Sequence, residues 1–222
     1  MRAELVYSPI TFARIAGTSI ASPIHRLARL TAITLAVAIL GLALFDWGDE
    51  IAGAGSFFPG GPLDEVAHAL TTVLILWALG PRACQRFLVP AVIASVAIDL
   101  DHIPGELGAN WLTNGTPRPY THSLLTIAVV LAAAALWRRR RDVLFGIAIG
   151  LASHLFRDLA EPGSGVALLW PWSDHSFSLS HAVYLSIMAA VVAIDAFRLF
   201  AIRRSRARSG DVTETEPTFV PR

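Results

Sequence analysis

An all-α membrane bundle of about six apolar helices is the fold class this sequence predicts, on three observations. Hydrophobic residues fill 54% of the 222 positions and charged residues only 16%, where soluble domains carry about a quarter charged. Six apolar runs recur along the chain, several near the roughly 20 residues that a bilayer crossing needs. Arginines crowd alternate loops, as the positive-inside rule expects of a multi-pass protein. All 18 basic residues are arginine, and the net charge is +1. A lone cysteine, Cys84, excludes an intrachain disulfide framework and a thiolate metal cluster.

Residues 1–26 read as an N-terminal arm broken at Ser8-Pro9 and Ser22-Pro23. No cleavable signal peptide is expected, because the first apolar run starts too deep and no small-residue cleavage pattern closes it. That run, Leu27 to Phe45, ends in the acidic Asp46–Glu50, with Trp47 as an interfacial anchor. A Gly/Pro-rich loop leads to the second run, Val66 to Leu79, preceded by Asp64 and Glu65 and stopped by Gly80-Pro81. The third run, Phe87 to Ile98, is short and ends in Asp99-Leu100-Asp101-His102. Leu124 to Trp137 is the fourth and meets Arg138–Arg141. Val143 to Leu159 is the fifth and carries His154, Arg157 and Asp158 near its end. A loop holding Trp170-Pro171-Trp172 precedes the sixth, His181 to Ile202. Residues 27–202 read as one membrane-embedded domain, and 203–222 as a basic, disordered tail. Short runs with polar ends need protein or water around them, since lipid satisfies neither.

Counting loops alternately, one set holds Arg26 and Arg29, Arg82 and Arg86, Arg138–Arg141 and the tail arginines. The other holds only Arg118 and Arg157, with most of the acids. Both termini are therefore expected in the cytoplasm, with six of the seven histidines on the outer side. The basic tail is accounted for by topology, so no nucleic-acid partner is expected; the partners are the bilayer and a small-molecule or lipid substrate.

Ionisable groups at helix ends in a membrane are costly, and functional by default. Asp64 and His68 stand four apart, as do His154 and Asp158, which puts each pair on one helix face. Asp99, Asp101 and His102 leave one helix as Thr121, His122 and Ser123 enter the next. Imidazole with carboxylate and no thiolate suits zinc, manganese or iron better than calcium or magnesium. Such a set can hold two metals that activate a water against a phosphoester. Arg118 suits phosphate as a bidentate clamp, and Ser153 and Thr121 can steady the imidazoles. Asp64 serves equally well as a helix N-cap. Arg157 is expected in a salt bridge, and Asp195 facing Arg198 or the bundle interior. His175 reads as a surface residue, while His102 and His181 stay unassigned.

Four segments in fixed order resemble the YdjM family of bacterial inner-membrane proteins: Asp99-Leu-Asp101-His102, Arg118-Pro-Tyr-Thr121-His122-Ser123, Gly150-Leu-Ala-Ser153-His154-Leu-Phe-Arg-Asp158 and Leu169-Trp170-Pro171. The likeness covers roughly His68 to Trp172. The chain departs from it at Pro119-Tyr120, where the family carries Gly and Phe or Ile, a change that can move Arg118. The family is described as metal-dependent hydrolases, distantly similar to zinc-dependent phospholipase C, whose helical His-x-x-x-Asp pair His154 and Asp158 match. The resemblance implies a divalent metal, zinc before manganese or iron, held by His68, Asp101, His122, His154 and Asp158. It implies hydrolysis of a phosphoester in a lipid headgroup or cell-envelope molecule through metal-activated water. Asp99 is then the expected general base and Arg118 the charge stabiliser. The competing expectation is a non-catalytic membrane protein whose His/Asp cluster is structural or merely binds metal.

Overall fold

The computed structural model describes residues 60–113, 115–161 and 165–210. The N-terminal arm, the first apolar run and the tail beyond Gly210 lie outside the described residues. Helices run over α1 (Gly60–Leu79), α2 (Pro81–Ala97), α3 (Ile103–Glu106), α4 (Leu124–Leu136), α5 (Arg141–Asp158) and α6 (His181–Gly210), with short 3-10 turns between. Among the described residues, pairing of the β type is confined to one isolated bridge, Val166 with Phe177. The expected all-α membrane bundle is what forms. Among the described residues, three stretches are long and apolar enough to cross a bilayer: Gly61–Leu79, Pro81–Gly105 and His181–Ile202.

Helix boundaries differ from the apolar runs where polar residues extend a helix. α1 starts at Gly60, so Asp64 and Glu65 lie within it rather than before it. Pro62 in its first turn costs nothing, because those N–H groups have no helical acceptor. Gly80 is the single residue between α1 and α2, and its φ of 107° is a left-handed conformation that favours glycine. Pro81 then opens α2. From α6, Arg198 Nη1 donates to the Trp77 carbonyl at 3.1 Å and also to that of Ala78. The guanidinium thus supplements the Gly80 N–H on the Trp77 carbonyl, which that amide meets at 2.9 Å, and caps the end of α1. α6 itself continues past Ile202 through the arginine-rich segment to Gly210.

α2 packs most extensively on α5. Gly146 and Gly150, one turn apart on α5, make this possible. A Cβ at Gly150 would strike the carbonyl oxygen of Ala91, and one at Gly146 would lie 2.5 Å from Pro90 Cγ. Small residues let membrane helices approach this closely. α1 also rests on α2, α5 and α6, and Ala67, Leu74, Ala160, Tyr184 and Met188 form a core between them. Side chains such as Val89 (68% exposed), Ile93 (61%) and Phe197 (71%) face outward, as lipid-facing residues should. The polar first half of α1 meets the end of α2, the entry to α4 and the end of α5 at one end of the bundle. Arg86 and Asp142, 3.8 Å apart, mark the opposite end of the α2–α5 pair.

Candidate metal centre

α2 stops at Ala97, and the chain tightens into a 3-10 turn over Ile98–His102. Carbonyls in the last turn of a helix lack helical partners. That of Ser95 accepts a hydrogen bond from His154 Nδ1 at 2.7 Å. A carbonyl only accepts, so His154 Nδ1 donates to it, and Nε2 is the nitrogen left facing the cluster.

That nitrogen points into a cluster of possible metal donors. His154 Nε2 lies 3.1 Å from His122 Nε2 and 3.1 Å from Asp158 Oδ2, and His122 Nε2 lies 3.6 Å from the same oxygen. Three ligands held at about 2.0–2.2 Å with tetrahedral angles stand roughly 3.3 Å apart, so the triangle has the dimensions of one face of a metal site. Asp99 Oδ1 approaches the same two nitrogens, at 3.1 Å from His122 and 3.3 Å from His154.

Two further groups overlap this triangle. His68, Asp99 and His154 bring one ligand atom each within 4.8 Å of one another, and so do Asp99, Asp101, His102 and His122. The His68 ring stacks on His154 with centroids 3.8 Å apart, and its Nε2 faces Asp158 Oδ1 at 3.4 Å and Asp64 Oδ2 at 3.5 Å. His102 Nε2 lies 3.5 Å from Asp99 Oδ1. Thr121 Oγ1 donates to Asp101 Oδ2.

Two arginines flank the cluster. Arg118 Nη1 lies 3.4 Å from Asp158 Oδ1, and its Nη2 pairs with Glu161. Arg157 Nε lies 3.4 Å from Asp64 Oδ1, and its Nη1 donates to the Tyr184 hydroxyl at 3.3 Å. The two cations meet Asp64, Asp158 and Glu161, while Asp99 and Asp101 face imidazoles, so carboxylates are in excess. Among the described residues, His68 Nδ1, Asp101 Oδ1, His122 Nδ1 and both Asp158 oxygens are buried without a hydrogen bond. Each such group costs about 1–3 kcal/mol, and more when charged. A cation among them offsets that cost. Burial pushes the His122 pKa down, but Asp101, Asp99 and Asp158 outweigh it, and the net shift is upward. The donor set, the excess negative charge and the orphaned polar atoms all fit a bound divalent cation.

His68, Asp101, His122, His154 and Asp158, picked out in the sequence, all meet here, and Asp99 stands between the two central imidazoles. Arg118 touches Asp158 rather than standing alone. Its neighbour Tyr120 stacks on Trp170 at 4.4 Å, and Leu124 N–H donates to the Leu168 carbonyl at 3.0 Å. The departure at Pro119-Tyr120 therefore ties the Arg118 loop to the Trp170 loop. Arg157 makes the salt bridge expected of it. Asp64 turns out to be a member of the cluster rather than an N-cap, and His102 joins from the 3-10 turn. Ser153 holds no imidazole: its hydroxyl meets Thr72 Oγ1 at 2.5 Å and donates to the Gly150 carbonyl at 2.9 Å, tying α1 to α5. Thr121 likewise steadies a carboxylate rather than a ring. His175, exposed beside Phe177, and His181, beside Tyr184, take no part in these groups. Glu161 and the Ser95 carbonyl were not legible: one lies past the helix end, and the other is a backbone atom.

A family model described as "YdjM inner membrane protein" matches residues 63–212. The chain belongs to the YdjM family. Inner membrane protein YdjM of Escherichia coli (strain K12) is 34% identical over 107 residues, covering 43% of this chain and 50% of that protein. YdjM of Shigella flexneri gives the same figures. Inner membrane protein YbcI of E. coli (strain K12) is 31% identical over 121 residues, covering 50% of this chain and 69% of its own. The chain thus spans about half the length of the YdjM proteins it matches. No solved structure matches it. The YdjM match contains the whole cluster, from Asp64 to Glu161. With three apolar helices of spanning length, it makes this chain a bacterial inner-membrane protein.

Proposed function

We propose that this YdjM-family protein is a membrane-bound, metal-dependent hydrolase that cleaves a phosphoester in a lipid headgroup or cell-envelope molecule. The observation that carries this is the triangle of His122 Nε2, His154 Nε2 and Asp158 Oδ2, with the His154 ring oriented by the Ser95 carbonyl. His68, Asp101, His122, His154 and Asp158 would hold the metal, zinc before manganese or iron. Bound there, it would supply Lewis acidity and make water a nucleophile near neutral pH. Asp99 takes the proton from the attacking water. Arg118 holds Asp158 in register with His154 and offsets negative charge building on the phosphoryl oxygens. Overall, the water oxygen bonds phosphorus, one ester P–O bond breaks, and the water's proton ends on the leaving oxygen.

The test is turnover of bis-p-nitrophenyl phosphate and of phospholipid by the full chain in mixed micelles. Hydrolysis should vanish on chelation and return with zinc or manganese. Asp99→Asn should lose about 100-fold or more in rate. A fully metal-loaded wild type that hydrolyses neither substrate would leave a structural or storage site instead.

The same reading puts both termini in the cytoplasm and the cluster on the outer side, because the arginine-rich loops lie at the far end of the bundle. In a Cys84→Ser background, Pro117→Cys should react with a membrane-impermeant maleimide in intact spheroplasts. Arg139→Cys should react only after lysis. The reverse pattern would invert the topology.

A further inference from the structure

The cluster is continuous with a groove that the chemistry above does not use. The groove lies between α2, α4 and α5, and its volume is about 720 Å³, within the roughly 300–1,000 Å³ of small-molecule sites. Its walls are apolar: Pro90, Ile93, Ala97 and Ile147 are representative. Polar groups gather at one end, where Asp101 and Thr121 line it. Those two residues are hydrogen-bonded to each other, and Asp101 belongs to the candidate ligand group with Asp99, His102 and His122. Asp101 Oδ1 is buried there without a hydrogen bond.

Length and placement identify the occupant. From Pro90 to Asp101 the groove follows eleven residue steps of α2 and its 3-10 extension, about 16 Å at the helical rise. One leaflet of a bilayer's hydrocarbon is about 15 Å deep. α2 with its continuation to Gly105 is a stretch of spanning length, and its Ile93, a groove residue, is 61% exposed. The groove is therefore apolar over a length close to the depth of one leaflet, reaches Val143 beside Asp142, and is polar at the end lined by Asp101, Thr121 and Thr126.

We propose that this groove is a lateral entry site for a membrane phospholipid, with an acyl chain between α2, α4 and α5 and the headgroup phosphate beside Asp101 and Thr121. The proposal rests on the hydrolase reading for the phosphate delivered to the cluster and for the cation that would lie between that phosphate and the Asp101 carboxylate. It makes the substrate a lipid that never leaves the membrane, in preference to a soluble phosphoester.

The test uses the full chain in vesicles of phosphatidylethanolamine and phosphatidylglycerol containing a phosphatidylglycerol with a diazirine midway along one acyl chain. After irradiation, labelled residues are mapped by mass spectrometry. Ile93, Ala97 and Ile147 should be labelled about tenfold more than Val89 and Phe197, a preference of about 1.4 kcal/mol. Ile147→Trp and, separately, Ala97→Trp should remove that excess, while Val89→Trp should leave it intact. Metal content should stay unchanged in all three, and either groove variant suffices should the other fail to fold. Equal labelling of all outward residues would reduce the groove to ordinary annular surface and overturn the proposal. Labelling of Val89 without the groove residues would show it covered by protein, either residues 27–45 or a second copy, and would overturn it too. Turnover is measured on the same preparations. Groove labelling without hydrolysis defeats the hydrolase reading and leaves the lipid site standing. Hydrolysis of the soluble ester without groove labelling defeats the lipid site alone.

Discussion

His154→Ala is expected to strip the protein of its metal. The side chain is fully buried, its Nδ1 is fixed by the Ser95 carbonyl, and its Nε2 stands 3.1 Å from both His122 Nε2 and Asp158 Oδ2. It belongs to two of the three overlapping donor groups, so no rearrangement of the remaining residues rebuilds either. Its removal also uncovers the stacked face of His68 and leaves Asp158 without its nearest imidazole. Disturbing even an outer partner of a ligand costs about 10–100-fold in metal affinity, and loss of the ligand itself should exceed that. Elemental analysis of detergent-purified protein checks it: a stoichiometric divalent metal in the wild type should fall about tenfold or more in the variant. Unchanged metal content would remove His154 from the site. A wild type that stays metal-free after reconstitution would recast the cluster as a hydrogen-bonded network tying the helix ends together.

The second large effect is expected from a residue that carries no chemistry. Gly150→Val should destabilise the bundle by about 3 kcal/mol, the upper range for overpacking. The added Cβ meets the carbonyl oxygen, carbonyl carbon and Cα of Ala91, all backbone atoms of the α2 helix, which no rotamer change can move aside. α2 must then shift off α5. Ser95 lies one turn beyond Ala91, and its carbonyl is what orients His154. The same substitution should therefore lower metal content as well as the melting temperature in detergent. A variant that melts and loads like the wild type would mean that α2 and α5 are not in backbone contact at Gly150. Gly150→Ala should show the same sign, because the clash arises at Cβ.

Much of the His/Asp cluster could be read from local spacing. An imidazole and a carboxylate four residues apart in an apolar run share a helix face whatever surrounds them, so His154–Asp158 stood out before any packing was known. The Asp99-Leu-Asp101-His102 segment stood out because ionised groups at the end of a membrane helix need a reason. Asp64 was harder to place. An acid just before an apolar run reads as a cap, and only the extension of α1 back to Gly60 brings it beside His68 and Arg157. His102 offered no periodic signal, because a 3-10 turn follows neither helical nor strand spacing.

What the sequence by itself determined is the set of elements and their chemistry. Apolar runs broken by Gly80-Pro81 and by arginine clusters define helices suited to a bilayer, since in lipid the backbone must satisfy itself. The absence of lysine and the single cysteine limited the donor set to imidazole and carboxylate. Tertiary structure alone decided which donors meet. His122 and His154 are 32 residues apart in the chain, yet their Nε2 atoms come within 3.1 Å, because two glycines on α5 let α2 approach closely enough for one backbone carbonyl to aim a ring. It also decided that Arg118 serves Asp158 and Glu161, and that an apolar groove ends at Asp101. Spacing along a helix is a local property carried by each residue's own backbone. A distance of 3 Å between helices depends on every side chain packed between them, and no short stretch of sequence records that sum.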